Sequence, residues 1–76
     1  MLKYIIVKKG FFESAIVFPA GISHDSFLPS FGVNIVSAGF IEDGKCGGRS
    51  ESLNIDSRGD HDQLFVEQIL NMDEIP

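Results

Sequence analysis

Leu2-Lys3-Tyr4-Ile5-Ile6-Val7, then Lys8-Lys9-Gly10, then Phe11-Phe12-Glu13-Ser14-Ala15-Ile16-Val17-Phe18 is the stretch that decides the fold. Two runs rich in β-branched and aromatic residues flank a short polar connection, which is the pattern of two strands. Gly10 is free to take a positive φ, so the pair is expected to close as a tight antiparallel hairpin. Pro19 ends the second strand because it has no N–H to give to a ladder.

Further along the chain, Ser23 is placed to cap a helix with Asp25 in its first turn. Pro29 collides with the carbonyl four residues back in any longer helix, so Gly21 to Phe31 is expected to hold a short helix or a single turn. β-Branched residues return from Val33 to Ile41 as a third, central strand. Its Ala38-Gly39 pair marks a bulge or a close approach by another element. After the turn signal Glu42-Asp43-Gly44, Arg49 to Ile55 reads as a half-exposed fourth strand, with Leu53 and Ile55 on one face and Ser50, Ser52 and Asn54 on the other. Ser57-Arg58-Gly59-Asp60 has the hydroxyl and the acid, three residues apart, of a helix start, and a helix is expected to run to about Asn71. At about 100° per residue from Leu64, the positions Leu64, Met72, Phe65, Ile69, Val66 and Leu70 sweep a wide apolar arc, and Asp60, Glu67 and Asn71 form a polar strip.

The order ββαββα predicts an α+β domain, a four-stranded antiparallel sheet with both helices packed on one face. A shift of 37 residues sets His24-Asp25 against His61-Asp62, and Ile16 and Phe18 against Leu53 and Ile55. A ββα pseudo-repeat over residues 1–31 and 33–71 therefore stands beside common hairpin-helix patterning as its explanation.

A chain of 76 residues and 8.3 kDa holds one domain at most. With 43% hydrophobic and 22% charged residues it is too apolar for a disordered segment. It also lacks an unbroken run long enough to cross a bilayer, so a soluble protein is expected. The apolar stretch behind Met1 is too brief for a secretory signal, and Cys46 is the only cysteine. Both point to the cytoplasm, and a single cysteine excludes a disulfide framework and a cysteine-rich zinc module.

Six basic residues against eleven acidic ones give a net charge of −5, which argues against direct nucleic-acid binding. The charge is uneven. Residues 1–38 carry three lysines against two acids, net +1, and residues 39–76 carry three cations against nine acids, net −6. The acidic half either imitates a nucleic-acid backbone or serves as a solvated face that keeps a small protein soluble.

Candidate chemistry is sparse. His24, Asp25, Asp60, His61 and Asp62 include the residue types of a divalent-metal or acid-base site, but their spacing is unspecific, and His61 falls beside the apolar arc. Asp56 to Asp62 lacks the third-position acid and the sixth-position glycine of a calcium loop. Arg58-Gly59-Asp60 begins a helix and is read as a chance adhesion tripeptide. Gly44 to Ser50 lacks the spacing of a phosphate loop and reads as a flexible hairpin loop. No cofactor, metal ligand or catalytic residue is assigned.

Ile16-Val17-Phe18-Pro19, His24, Val36-Ser37-Ala38-Gly39-Phe40, Ser50-Glu51-Ser52-Leu53 and Ser57-Arg58 with Asp60 together resemble a group of short, uncharacterised proteins encoded by phages and prophages of proteobacteria. The resemblance implies an accessory protein that binds and inhibits a host protein, including a component of a defence system such as CRISPR–Cas. Pro29 departs from the unbroken helix that the resemblance implies there, which agrees with the short helix read from the residues.

The expected function is therefore non-enzymatic protein–protein binding. The candidate surface comprises Phe11, Phe12 and Phe31 as aromatic anchors and Glu51, Asp56, Asp60 and Asp62 as charge. The expected partner is a host or defence-system protein; no membrane is involved, and edge strands allow a homodimer. The alternatives are an acidic nucleic-acid mimic and a small metal-binding or enzymatic domain using His24 and His61.

Overall fold

The computed structural model describes residues 1–71. β1 (Leu2–Lys9) and β2 (Phe12–Pro19) form the expected hairpin, pairing from Leu2 opposite Pro19 to Lys9 opposite Phe12. Gly10, at φ 62°, takes the first central position of a two-residue turn, as a type II′ turn requires. Lys8 and Lys9 therefore belong to the strand, and Phe11 is left at the tip.

After Pro19 the chain makes a 3₁₀ turn at His24–Phe27, a single α-turn α1 at Leu28–Phe31 and a second 3₁₀ turn at Gly32–Asn34. Pro29 sits in the first turn of α1, where its missing N–H forfeits no bond. β3 (Ile35–Glu42) then pairs antiparallel with β1 in the centre of the sheet. The register slips where Val7 faces Ile35 and Ile6 faces Ser37, so the bulge lies at Val36 and not at Ala38-Gly39. Gly39 marks the close approach instead: a Cβ there collides with the carbonyl oxygen of Gly47 and meets the Ser57 Cβ at 3.0 Å.

Asp43 and Gly44, at φ 53° and 79°, make the two-residue turn with both residues left-handed that suits a hairpin. β4 (Lys45–Gly47) follows, and the sheet order is β2-β1-β3-β4. The four-stranded antiparallel α+β architecture is as expected, but its fourth strand is not the one read from the sequence. Gly48, at φ 79° against the Phe40 ring, turns the chain out of the sheet. Arg49–Ser50 (β5) and Ile55–Asp56 (β6) then pair with each other around a turn closed by Asn54 at φ 57°. The Ser50 hydroxyl accepts the N–H of Leu53 at 3.2 Å, which favours that turn over a continuous strand.

The layers also differ from the expected arrangement. Tyr4, Ile6 and Ile41 pack under Val66, Phe65 and Leu70 of α2 (Asp60–Leu70). Ile5, Phe18, Ile35 and Ala38 point the other way and are covered by Phe27, Phe31, Leu53 and Ile55. The helical segments therefore lie on opposite faces, not both on one. The reason is visible in β1: Tyr4-Ile5-Ile6 is apolar at consecutive positions, so both faces of the central strands need a cover.

The helix start is also displaced. Gly59, at φ 59°, precedes the first helical residue Asp60, and the Ser57 hydroxyl accepts the N–H of Gly59 at 2.9 Å instead of capping an inner turn. Leu64, counted in the apolar arc, is exposed, and Met72 lies outside the described residues. Among the described residues no helix is long and apolar enough to cross a membrane.

Candidate functional site

The densest polar arrangement is buried between α2 and the sheet. Asp62, in the first turn of α2, is 0% exposed. Its Oδ2 accepts the Tyr4 hydroxyl at 2.6 Å, the Ser37 hydroxyl and the backbone N–H of Arg58 at 2.9 Å, and its Oδ1 accepts Arg58 Nε at 2.8 Å. The Tyr4 hydrogen is committed to Asp62, so in the 2.6 Å contact between Tyr4 and Ser57 the serine hydroxyl donates. Arg58 extends the network outward, its Nη2 lying 2.7 Å from Glu13 Oε1 on β2.

These bonds fix the protonation states. Burial raises the Asp62 carboxyl, but the hydroxyls of Ser37 and Tyr4 and the N–H groups of Arg58 outweigh it and hold the group below the usual carboxylate range. Burial and the Asp62 bond push the Tyr4 phenol well above its ordinary value. The Cys46 thiol rises to about 11 through burial and the nearby charges of Asp62 and Glu67, so almost none of it is thiolate at neutral pH. The arrangement holds an ionised acid with its acceptor sites filled, and what it does is fasten α2 and the Arg58 segment to the sheet.

The histidines do not converge. His24 is buried on the face opposite α2, where its Nε2 donates to the Gly39 carbonyl at 2.8 Å and its ring stands edge-on to Phe18 and Phe40. His61 lies exposed on α2, beside Phe65 and 3.8 Å from Glu13. Among the described residues no three His, Cys, Asp or Glu side chains are grouped as a metal would need. Burial pulls the His24 pKa below its ordinary 6.5. The unfolded chain therefore takes up this proton first as pH falls, and stability declines from about pH 6.5 downward until the folded imidazole is itself protonated. Urea unfolding should show a lower midpoint at pH 5.5 than at pH 7.5, with the difference reduced in His24→Gln.

The apolar candidates do come together. Phe11 and Phe12, at the β1–β2 tip, are 99% and 80% exposed. Phe12 shares the wall of an open groove of about 610 Å³ with Phe31, Val7, Lys9, Ser14 and Asn34. Phe31 corrects the reading of it as a free anchor, because it is half-buried against the Ile5 and Ala38 cluster and only lines the groove.

The acidic candidates do not form one surface. Asp62 is the clearest correction: it is enclosed and presents no charge. Its place was legible, since on the helical projection it falls at about 160°, between Ile69 and Val66 in the middle of the apolar arc. Glu51 and Asp56 are exposed but share Arg49, at 3.2 and 2.9 Å. Asp60 is exposed at the start of α2. The buried network through Tyr4, Ser37 and Arg58 was missed, because a tyrosine and a serine inside strands give no signal of their partner more than twenty residues away.

Comparison with protein-family models, with curated proteins and with solved structures gave no match.

Proposed function

We propose that the protein is a small, non-enzymatic accessory protein of phage type that acts in the cytoplasm by docking on a host or defence-system protein through the β1–β2 tip. One observation carries this reading: Phe11 and Phe12 are adjacent at the hairpin tip and are 99% and 80% exposed, the two most exposed large apolar side chains among the described residues. Covering such a ring contributes about 1.5–3 kcal/mol, and a pair of aromatic anchors beside a groove is what a binding hot spot needs. The polar centre supports the same reading, since its groups are held in a bonding pattern that stabilises the fold and leaves neither a free base nor a nucleophile.

The test is capture of a partner from a proteobacterial host by the tagged wild-type chain and by Phe11→Ala/Phe12→Ala. The double variant should melt within about 2 °C of wild type, because exposed side chains contribute little to stability, and should lose the partner. Equal recovery by both proteins, or no specific recovery by wild type, contradicts the proposal.

A further inference from the structure

We propose that β2 is a docking edge: an extended strand of the partner protein adds to it, places a large apolar side chain between Phe12 and Phe31, and sets a carboxylate against Lys9. This rests on the reading of the hairpin tip as the binding site and names its mode of recognition.

β2 is the outer strand of the sheet, and its eight residues pair without a break along β1. Natural edges are blunted by lysines, prolines, bulges or short length. β2 has a proline only at its end and one charged residue, Glu13, which turns inward to Arg58 at 2.7 Å. The turn fixes which backbone groups are free. A two-residue turn is closed by a hydrogen bond between its flanking residues, so Lys9 and Phe12 are a bonded pair, and bonded pairs recur at every second position. Phe12, Ser14, Ile16 and Phe18 thus bond to β1, and Glu13, Ala15 and Val17 direct their N–H groups outward.

The groove lies on the same strand. Phe12 and Ser14 project on the face opposite α2 and line it with Phe31 and Lys9. A strand added to β2 sends alternate side chains to that face, which is how edge-binding domains combine backbone affinity with side-chain selection. Lys9 makes no ion pair among the described residues, so the complementary group is an acid two positions from the apolar residue. A second copy fits less well. Its β2 offers only Glu13, already held by Arg58, and two chains of net charge −5 repel.

The probe is the synthetic peptide Thr-Asp-Val-Phe-Val-Thr-Val, which sets Asp and Phe on one face. The readout is amide hydrogen exchange of the full chain by NMR. Saturating peptide should slow exchange at Glu13, Ala15 and Val17 by about tenfold. The slowing should vanish when the peptide is N-methylated at alternate residues, and weaken when Lys replaces its Asp. Ala15→Pro, which removes one outward N–H and no bond to β1, should abolish it in protein whose melting confirms the fold. The peptide controls leave the protein unchanged, so the test holds even if that variant unfolds. Shifts confined to Phe11 and Phe12 without slowed exchange keep the tip as a binding site and overturn strand addition. Absence of any binding overturns it as well, and the capture experiment then decides the tip by itself. Slowed exchange without peptide that grows with protein concentration, at a doubled solution mass, identifies a second copy and overturns the proposal.

Discussion

Asp62→Ala is expected to cost about 3–5 kcal/mol, because removing one partner of a buried ionic cluster leaves the others uncompensated. Tyr4 and Ser37 lose the acceptor for their hydroxyls, and Arg58 keeps only Glu13. In a domain of this length that is about 12–40 °C in Tm, and whatever folded protein remains should show a loosened α2. Asp62→Asn should fall between, since the amide keeps an acceptor but turns two hydrogens toward donors. Circular dichroism melts check both, and an Asp62→Ala protein melting within a few degrees of wild type contradicts a structural role. The pH dependence carries the same sign. The Arg58 bonds hold Glu13 below its ordinary 4.5, and the net effect on Asp62 is a value below 3.8. The unfolded chain therefore binds protons first, and this part of the stability is complete above about pH 5 and lost as pH falls through the folded values.

Gly39→Val should be nearly as damaging, by about 3 kcal/mol. Its Cβ falls on the Gly47 carbonyl, in the backbone of β4, with the Ser57 Cβ and the Tyr4 ring at 3.0 and 3.3 Å on the other sides. None of these is the loose end of a flexible side chain, so β4 or the Ser57 segment must move. The same shift disturbs the carbonyl that His24 Nε2 bonds. Gly47→Ala is the control: a Cβ there meets nothing within 4 Å and the residue is not left-handed, so the change should leave stability unchanged or raise it by about 0.5 kcal/mol. Equal melting of the two variants contradicts the close approach.

Local chemistry made most of the fold readable. Gly10, Pro19, Asp43-Gly44 and the run from Ile35 to Ile41 each restrict the backbone or favour a pleated surface where the structure uses them. The choice of helix faces was written in the consecutive apolar residues Tyr4-Ile5-Ile6, which a half-exposed sheet does not tolerate. The fate of Arg49 to Ile55 was not readable from alternation, because Leu53 and Ile55 are half-buried on the side the pattern says while Gly48 and Asn54 decide where the chain goes. At the candidate site Phe11 is exposed because the turn is Gly10-Phe11, whereas the sequence pattern puts Phe11 inside the second strand. The apolar arc of α2 turned Asp62 toward the sheet, but its bonds to a serine on β3 and a tyrosine on β1 were not readable, because sequence spacing does not bring those partners together.

The central claim is that the partner meets the hairpin tip while the polar centre only holds the fold. It is tested most directly by placing the photo-crosslinking residue p-benzoylphenylalanine at Phe11 in one protein and at Leu64, 64% exposed on α2, in another. Irradiation in host extract should join the partner to the protein carrying the label at Phe11 and leave the one labelled at Leu64 free. A crosslink formed from Leu64 and not from Phe11 contradicts the account.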